Sequence, residues 1–138
     1  MTIASAALAL RAAVVQRLAS DAALSALIGA ARVYDEPPRA ALPPYVVLAA
    51  MESSDVSGDL AAAAEHRLTL EVWSRQGGLA EALKAANRVV DRLDGAALVL
   101  DGWRLVDLSW RSTRAERVDA AGLRRAELAF RAVTEPLD

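Results

Sequence analysis

The amino-acid sequence predicts an α+β fold: a mainly antiparallel sheet with helices packed on one face. Three observations carry this. Apolar residues recur at helical spacing in two stretches, from Ile3 to Leu18 and from Leu79 to Leu93. Strict alternation, the mark of a strand with one wet face, runs through "RLTLEVW" and again through "RRAELAFRA". The Asp101–Gly102 pair within "ALVLDGWRLVDLSW" suits a tight primed turn between antiparallel strands. At 138 residues the chain reads as one domain, 1–138, large enough to bury about two-thirds of its unfolded surface without a disulfide or metal staple.

The first helix starts near Thr2 or Ser5 and turns Ile3, Ala7, Leu10, Val14 and Leu18 toward the core. Leu8 and Val15, one heptad apart and off that stripe, are expected as a second core contact, with a subunit interface as the other reading. "SDAALSALIG" is a short helix, capped by Ser20 or Asp21 and stopped at Gly29, and a brief extended piece follows through Arg32, Val33 and Tyr34. The prolines of "DEPPRAALPP" fix φ and remove backbone donors, so this is a stiff connection and not an interdomain linker.

"YVVLAAME", Tyr45 to Glu52, is a buried strand, and the turn-forming residues of "SSDVSGDLAAAA" make a long acidic loop after it. In the next strand Leu68, Leu70 and Val72 share one face, and Arg67, Thr69, Glu71 and Trp73 share the other, with His66 at the entrance. Gly77 and Gly78 let the chain turn into the second long helix, whose stripe is Leu79, Leu83, Ala86, Val90 and Leu93 and whose stop is Gly95. On its wet face Glu81 with Lys84, and Arg88 with Asp91, are spaced to pair weakly. Beyond the hairpin turn Val106, Leu108 and Trp110 alternate with Leu105, Asp107 and Ser109. The last strand, from about Leu123 to Thr134, aims Ala126, Leu128, Phe130 and Ala132 inward beside the preceding strand.

Composition narrows function mainly by exclusion. A net charge of −2 with Lys84 as the single lysine argues against a dedicated duplex-DNA binder, which would cluster basic residues against phosphates. The absence of cysteine removes disulfides, thiolate zinc sites and thiol nucleophiles. Arg11 and Arg17 interrupt the apolar N-terminus, and no run approaches a membrane span, so neither an export signal nor an anchor is expected.

Catalytic readings are weak. His66 is the only histidine and would have to serve as the base of any serine hydrolase, yet no G-x-S-x-G elbow accompanies it. The acids of "MESSDVSGDL" lack calcium-loop spacing, and the double glycine lacks the lysine of a phosphate loop. Glu71 and Asp107 could share a sheet face as a carboxylate pair, but nothing else supports that role. Trp73, Trp103 and Trp110 fit packing or protein contact better than a nucleic-acid stacking platform, given the missing basic surplus. No catalytic residue, cofactor or metal is assigned.

The order of segments is more informative. "ALRAAVVQRLASDAALSALIG", "RVYDEPP", "LPPYVVL", "EHRLTLEVWSR", a helix, "LDGWRLVDLSWRSTR" and "RRAELAFRA" together resemble the tail-completion, or tail-terminator, family of long-tailed phages and phage-derived gene transfer agents. The resemblance spans nearly the whole chain. Its most specific parts are Pro44 with Tyr45 opening a strand, Glu65 and His66 leading to Val72 and Trp73, and the alternation around Phe130. The chain departs from it at "AAGLRRAEL", where two arginines follow Gly122 in place of the histidine and glycine often found before the last strand.

The resemblance implies a structural protein with no enzymatic activity. It would form a homo-oligomeric ring, expected to be hexameric, that caps the head-proximal end of a tail tube and joins it to a head-completion or neck protein. DNA would pass through without specific binding. Such a subunit would assemble in the bacterial cytoplasm and end at the head–tail junction of a phage-like particle. Within that picture Arg111, Arg114, Arg117 and Trp73 are candidate interface residues, and Glu52, Asp55, Asp59 and Glu65 are candidates for a loop facing the lumen or the tube. The alternative function is a small-molecule-binding or regulatory α+β module, which would need a pocket with convergent polar groups.

Overall fold

A computed structural model describes residues 2–59, 61–75, 78–118 and 122–137. Its elements in order are α1 (Ile3–Ala19), α2 (Ala22–Ile28), β1 (Val33–Tyr34), β2 (Tyr45–Asp55), β3 (Ala64–Ser74), α3 (Leu79–Leu93), β4 (Val99–Leu100), β5 (Trp103–Arg117) and β6 (Arg124–Pro136). The strands form one six-stranded sheet in the order β1-β2-β3-β6-β5-β4. The fold is α+β as the sequence predicts. The sheet, however, is mixed and not mainly antiparallel, because β1 runs parallel to β2, with Val33 beside Val46 and Tyr34 beside Val47. The Pro-rich connection, with Pro43–Pro44 cis, carries the chain back so that both strands start from the same end.

Alternation in β3 and β6 decides which sheet face is covered. Leu68, Leu70 and Val72 of β3 and Ala126, Leu128, Phe130 and Ala132 of β6 are all buried, while their neighbours on the opposite face are exposed or half-buried. The helices lie over the buried side. β6 stands between β3 and β5, with Leu68 opposite Phe130 and Leu128 opposite Thr113. The Asp101–Gly102 turn joins Leu100 to Trp103 as expected, with Gly102 at φ +79°.

The expected stripes hold at Leu10, Val14 and Leu18 of α1 and at Ala86 and Leu93 of α3, and shift by about one position elsewhere. In α1 the buried residues are Ala6, Leu10, Val14 and Leu18, and in α3 they are Ala82, Ala85, Ala86, Val89 and Leu93. Leu79 is 41% exposed and Leu8 is 65% exposed, so neither Leu8 nor the expected start of the α3 stripe reaches the core. In α3 Ala82 and Ala85 take the places expected of Leu79 and Leu83, and small side chains there let the helix pack closely on the sheet.

Caps fix the short elements. Asp21, not Ser20, caps α2, its carboxylate accepting from Leu24 N at 2.9 Å, and Gly29 at φ +97° ends that helix. At the start of α3 the glycine requirement is one of space. A Cβ on Gly78 would fall against the Ser74 hydroxyl and within 2.7 Å of the Arg75 carbonyl oxygen. Gly77, expected to share that turn, lies outside the described residues. The wet-face pairs expected on α3 are replaced by longer-range partners: Glu81 accepts from Ser74 at 2.5 Å and Arg75 at 2.9 Å, and Arg88 reaches Asp21.

Candidate assembly surface

The sheet face away from the helices carries a row-by-row arrangement of charge that follows from register. Trp73, Arg125 and Glu116 are neighbours across β3, β6 and β5, and Arg67, Arg131 and Ser109 form another such row. The Arg125 guanidinium lies 5.7 Å from the centre of the Trp73 ring and pairs with Glu116 at 2.7 Å and Glu71 at 3.5 Å. Trp73 Nε1 donates to Glu71 at 3.1 Å. A cation over an indole face, flanked by carboxylates, holds the ring in place on a face that has no helix over it.

Between these rows the side chains shrink to Ala50, Thr69 and Ala129. They floor an open concavity of about 720 Å³, rimmed by Glu52, Arg67, Arg111 and Arg131. Arg131 is held by Glu65 at 2.9 Å, and Arg111 makes no ion pair among the described residues.

Arg111, Arg114 and Arg117 all stand on the distal half of β5, where the strand is exposed from Trp110 to Arg114. Arg114 has one weak partner, Glu116 at 3.1 Å, and is itself 76% exposed. Arg117 lies opposite Arg124. Trp73 is two strands away and joins this group only through Arg125 and Glu116.

The four acids do not share a loop. β2 continues to Asp55, so Glu52 and Asp55 are strand residues, Asp59 is exposed in the connection, and Glu65 lies within β3. Glu65 is held below the usual carboxylate range by its hydrogen bond to Arg131, assisted by Arg67. Asp55 is lowered by the hydroxyl and amide of Ser57, at 2.5 and 2.8 Å. The sequence suggested a loop because serines and aspartates after Met51 mimic a turn, but hydrogen bonding to β3 outweighs that local preference.

His66 is fully buried on the helix side of β3. Its Nδ1 is 2.7 Å from Ser53 Oγ and its Nε2 is 2.8 Å from Thr134 Oγ1. Burial pushes the imidazole below its ordinary pKa, leaving one ring nitrogen to donate and one to accept. Among the described residues its ring contacts are the two hydroxyls and no carboxylate, so the arrangement ties β2, β3 and β6 together. The described residues contain no cluster of three metal-ligating side chains and no single helix long and apolar enough to cross a membrane.

Sequence reading missed the two open sheet edges. β1 covers β2 only at Val46 and Val47, leaving Leu48–Asp55 without a strand neighbour on that side among the described residues. On the other edge β4 covers Trp103 and Arg104, Gly95 N donates to Leu108 O at 2.7 Å, and Trp110 N donates to Asp94 at 2.9 Å. Beyond Trp110 nothing described pairs with the outer edge. The length of β5 has no clear periodic signal in "WRSTRAER", which is polar and exposed from Arg111 to Arg114; only the absence of Gly and Pro between Trp103 and Arg117 hints that the strand continues.

Among the described residues the subunit has a charged sheet face without a helix over it and two edge segments without a strand neighbour, and exposed strand edges are templates for pairing. The family model of tail completion protein gp17 matches residues 12–135, and the chain belongs to that family, which gives it a structural role in a phage-type tail. It is also similar to a chain in the solved virion of a native gene transfer agent particle, at 43% sequence identity and a TM-score of 0.86, covering 94% of this chain and 96% of that one. Comparison with curated proteins found no match.

Proposed function

We propose that copies of this chain close into a ring, expected to be of six, that caps the head-proximal end of the tail tube and joins it to a head-completion or neck protein. The observation that carries this reading is the pair of open edges, on β2 and β5, at opposite ends of one rigid sheet. Two different patches that complement one another make a head-to-tail contact, and a head-to-tail contact that closes makes a ring. Seated on the end of the tube, such a ring limits tube growth.

The charged residues divide within this reading. Arg111, Arg114 and Arg117 serve contacts between chains, and Trp73 serves as an ordered aromatic on the same face. Asp55 and Asp59 are exposed near one end of the sheet and face the lumen or tube, where negative charge discourages passing DNA from adhering. Glu65 is already neutralised by Arg131 and Arg67 and contributes little to that field. DNA passes without a specific site.

The test is electron microscopy of particles assembled with and without the chain, with the subunit labelled. Labelled density at the head–tail junction, together with overlong or headless tails when the chain is missing, is the expected result. Density elsewhere on the particle would remove the capping role.

A further inference from the structure

The two open edges differ in more than position. The free outer edge of β5, residues 111–117, carries Arg111, Arg114 and Arg117, whereas the free edge of β2, residues 49–55, carries Glu52 and Asp55. The stretches 49–55 and 111–117 are each seven residues long, and Leu48 adds one more free position on β2. The β5 stretch has three arginines against the single carboxylate of Glu116, and the β2 stretch has two carboxylates and no basic residue. Exposed strands of this kind are templates for pairing, and opposite charges directly across a strand pair stabilise it.

Building on the ring reading, we infer that the 111–117 edge of β5 in one copy pairs antiparallel with the 49–55 edge of β2 in the next, placing Arg114 opposite Glu52. Two features agree with this pairing. Glu52 faces the uncovered side, being opposite Arg67, and Arg114 faces the same side, being opposite Glu127. Residues that sit directly opposite must share a face, and these do. The β2 edge is approachable, since Ala49 and Ala50 are exposed and small.

Direction is also consistent. β2 and β5 run oppositely within the sheet, so a neighbour related by rotation about an axis along the sheet presents its β5 antiparallel to β2. Within one chain Glu52 is level with Ser109, through Arg67 and Arg131. Arg114 is level with Glu127, four positions from Arg131, because the bulge between Trp110 and Ser112 absorbs one residue of β5; pairing with Arg114 therefore staggers successive copies by four ladder positions, and staggered, tilted strands are what closing a sheet requires.

The chain has no cysteine, which makes disulfide trapping clean. Within one copy β2 and β5 are separated by β3 and β6, about 14 Å at ordinary strand spacing, too far for an S–S bond that needs Cα atoms within about 7 Å. Particles carrying Glu52→Cys with Arg114→Cys should therefore give covalently linked multimers of this chain on oxidation, and either single variant should give only monomer. Absence of multimers from double-variant particles with normal tails overturns the inference while leaving the ring reading intact.

A charge swap gives a second arm. Glu52→Arg alone and Arg114→Glu alone should each reduce incorporation into particles at least tenfold, and the two together should restore it. Wild-type incorporation of both single variants overturns the pairing, as does failure of the double variant to recover although it folds normally by circular dichroism. Linked multimers located away from the head–tail junction would instead uphold the pairing and sink the capping role.

Discussion

Arg88 grips Asp21 with two parallel hydrogen bonds, Nε to Oδ2 and Nη2 to Oδ1, each 2.8 Å. The same carboxylate caps α2 through Leu24 N, and Arg92 Nε lies 3.2 Å from Oδ1, so one side chain that is 7% exposed fastens α2 to α3. Its pKa is lowered to about 2, chiefly by the Arg88 hydrogen bonds, with burial opposing them. The folded value lies below the unfolded 3.8, so the stabilisation is complete above about pH 5 and is lost as pH falls toward 2. Asp21→Ala should cost about 2 kcal/mol at pH 7 and flatten this acid dependence, as read by urea unfolding across the pH range.

His66 supplies the second pH-sensitive term, with the same sign for a different reason. Burial lowers its pKa below the ordinary 6.5, so the unfolded chain binds the proton more readily. Stability is full above pH 6.5 and declines as pH drops below it. His66→Phe should remove that dependence and cost roughly 1–3 kcal/mol at pH 7.5, because the Ser53 and Thr134 hydroxyls lose their partner. A variant as stable as the parent at both pH 7.5 and 5.5 would contradict the role as a tie between strands.

Gly78 is held by space. Its amide donates to the Arg75 carbonyl at 2.7 Å while Ser74 reaches past it to Glu81. Gly78→Ala would push a methyl into this corner and should destabilise by about 1–3 kcal/mol, despite alanine's better helix propensity. Gly78→Ala combined with Ser74→Ala should recover part of the loss, since it removes the hydroxyl the methyl meets. Thermal unfolding of the two variants measures this directly.

These contacts show why some of the molecule was legible in the sequence and some was not. Alternation in "RLTLEVW" and "RRAELAF" gave the buried faces of β3 and β6 residue by residue, since a period of two leaves no ambiguity about side. Helical faces were less certain, because in an alanine-rich helix the stripe can rotate one position without leaving an apolar surface, as Ala6 and Ala82 demonstrate. Arg88, Arg131 and Thr134, the distant partners of Asp21, Glu65 and His66, lie 66–68 residues away in sequence, beyond any local pattern. The open edges were hidden for the same reason, since an edge is defined by which strands fail to arrive.

Arg111 and Arg117 test whether the distal half of β5 is a contact surface as distinct from a solvated strand. Both are exposed, and surface charges away from special features change stability by less than about 0.5 kcal/mol. The double variant Arg111→Glu, Arg117→Glu should therefore unfold at the parent's denaturant midpoint yet yield uncapped or overlong tails in assembled particles. Normal tail lengths with the double variant would return this segment to bulk solvent.

Leu8 offers the sharpest separation of folding from assembly. It is 65% exposed on α1, beside Ala7, Arg11, Leu48 and Ala50 along the open edge of β2, whereas Leu10 on the same helix is fully buried. Leu10→Ala removes core volume and should cost about 2–5 kcal/mol. Leu8→Gln removes only exposed apolar surface and should leave unfolding within about 0.5 kcal/mol of the parent. A leucine left in water next to an unpaired strand gains burial only when a second chain covers both, at about 25 cal/mol per Å² of apolar surface. Leu8→Gln should therefore weaken self-association, seen as a shift to smaller species by analytical ultracentrifugation or as reduced incorporation into particles, while circular dichroism stays unchanged; equal self-association and incorporation would show that α1's outer face remains wet in the assembly.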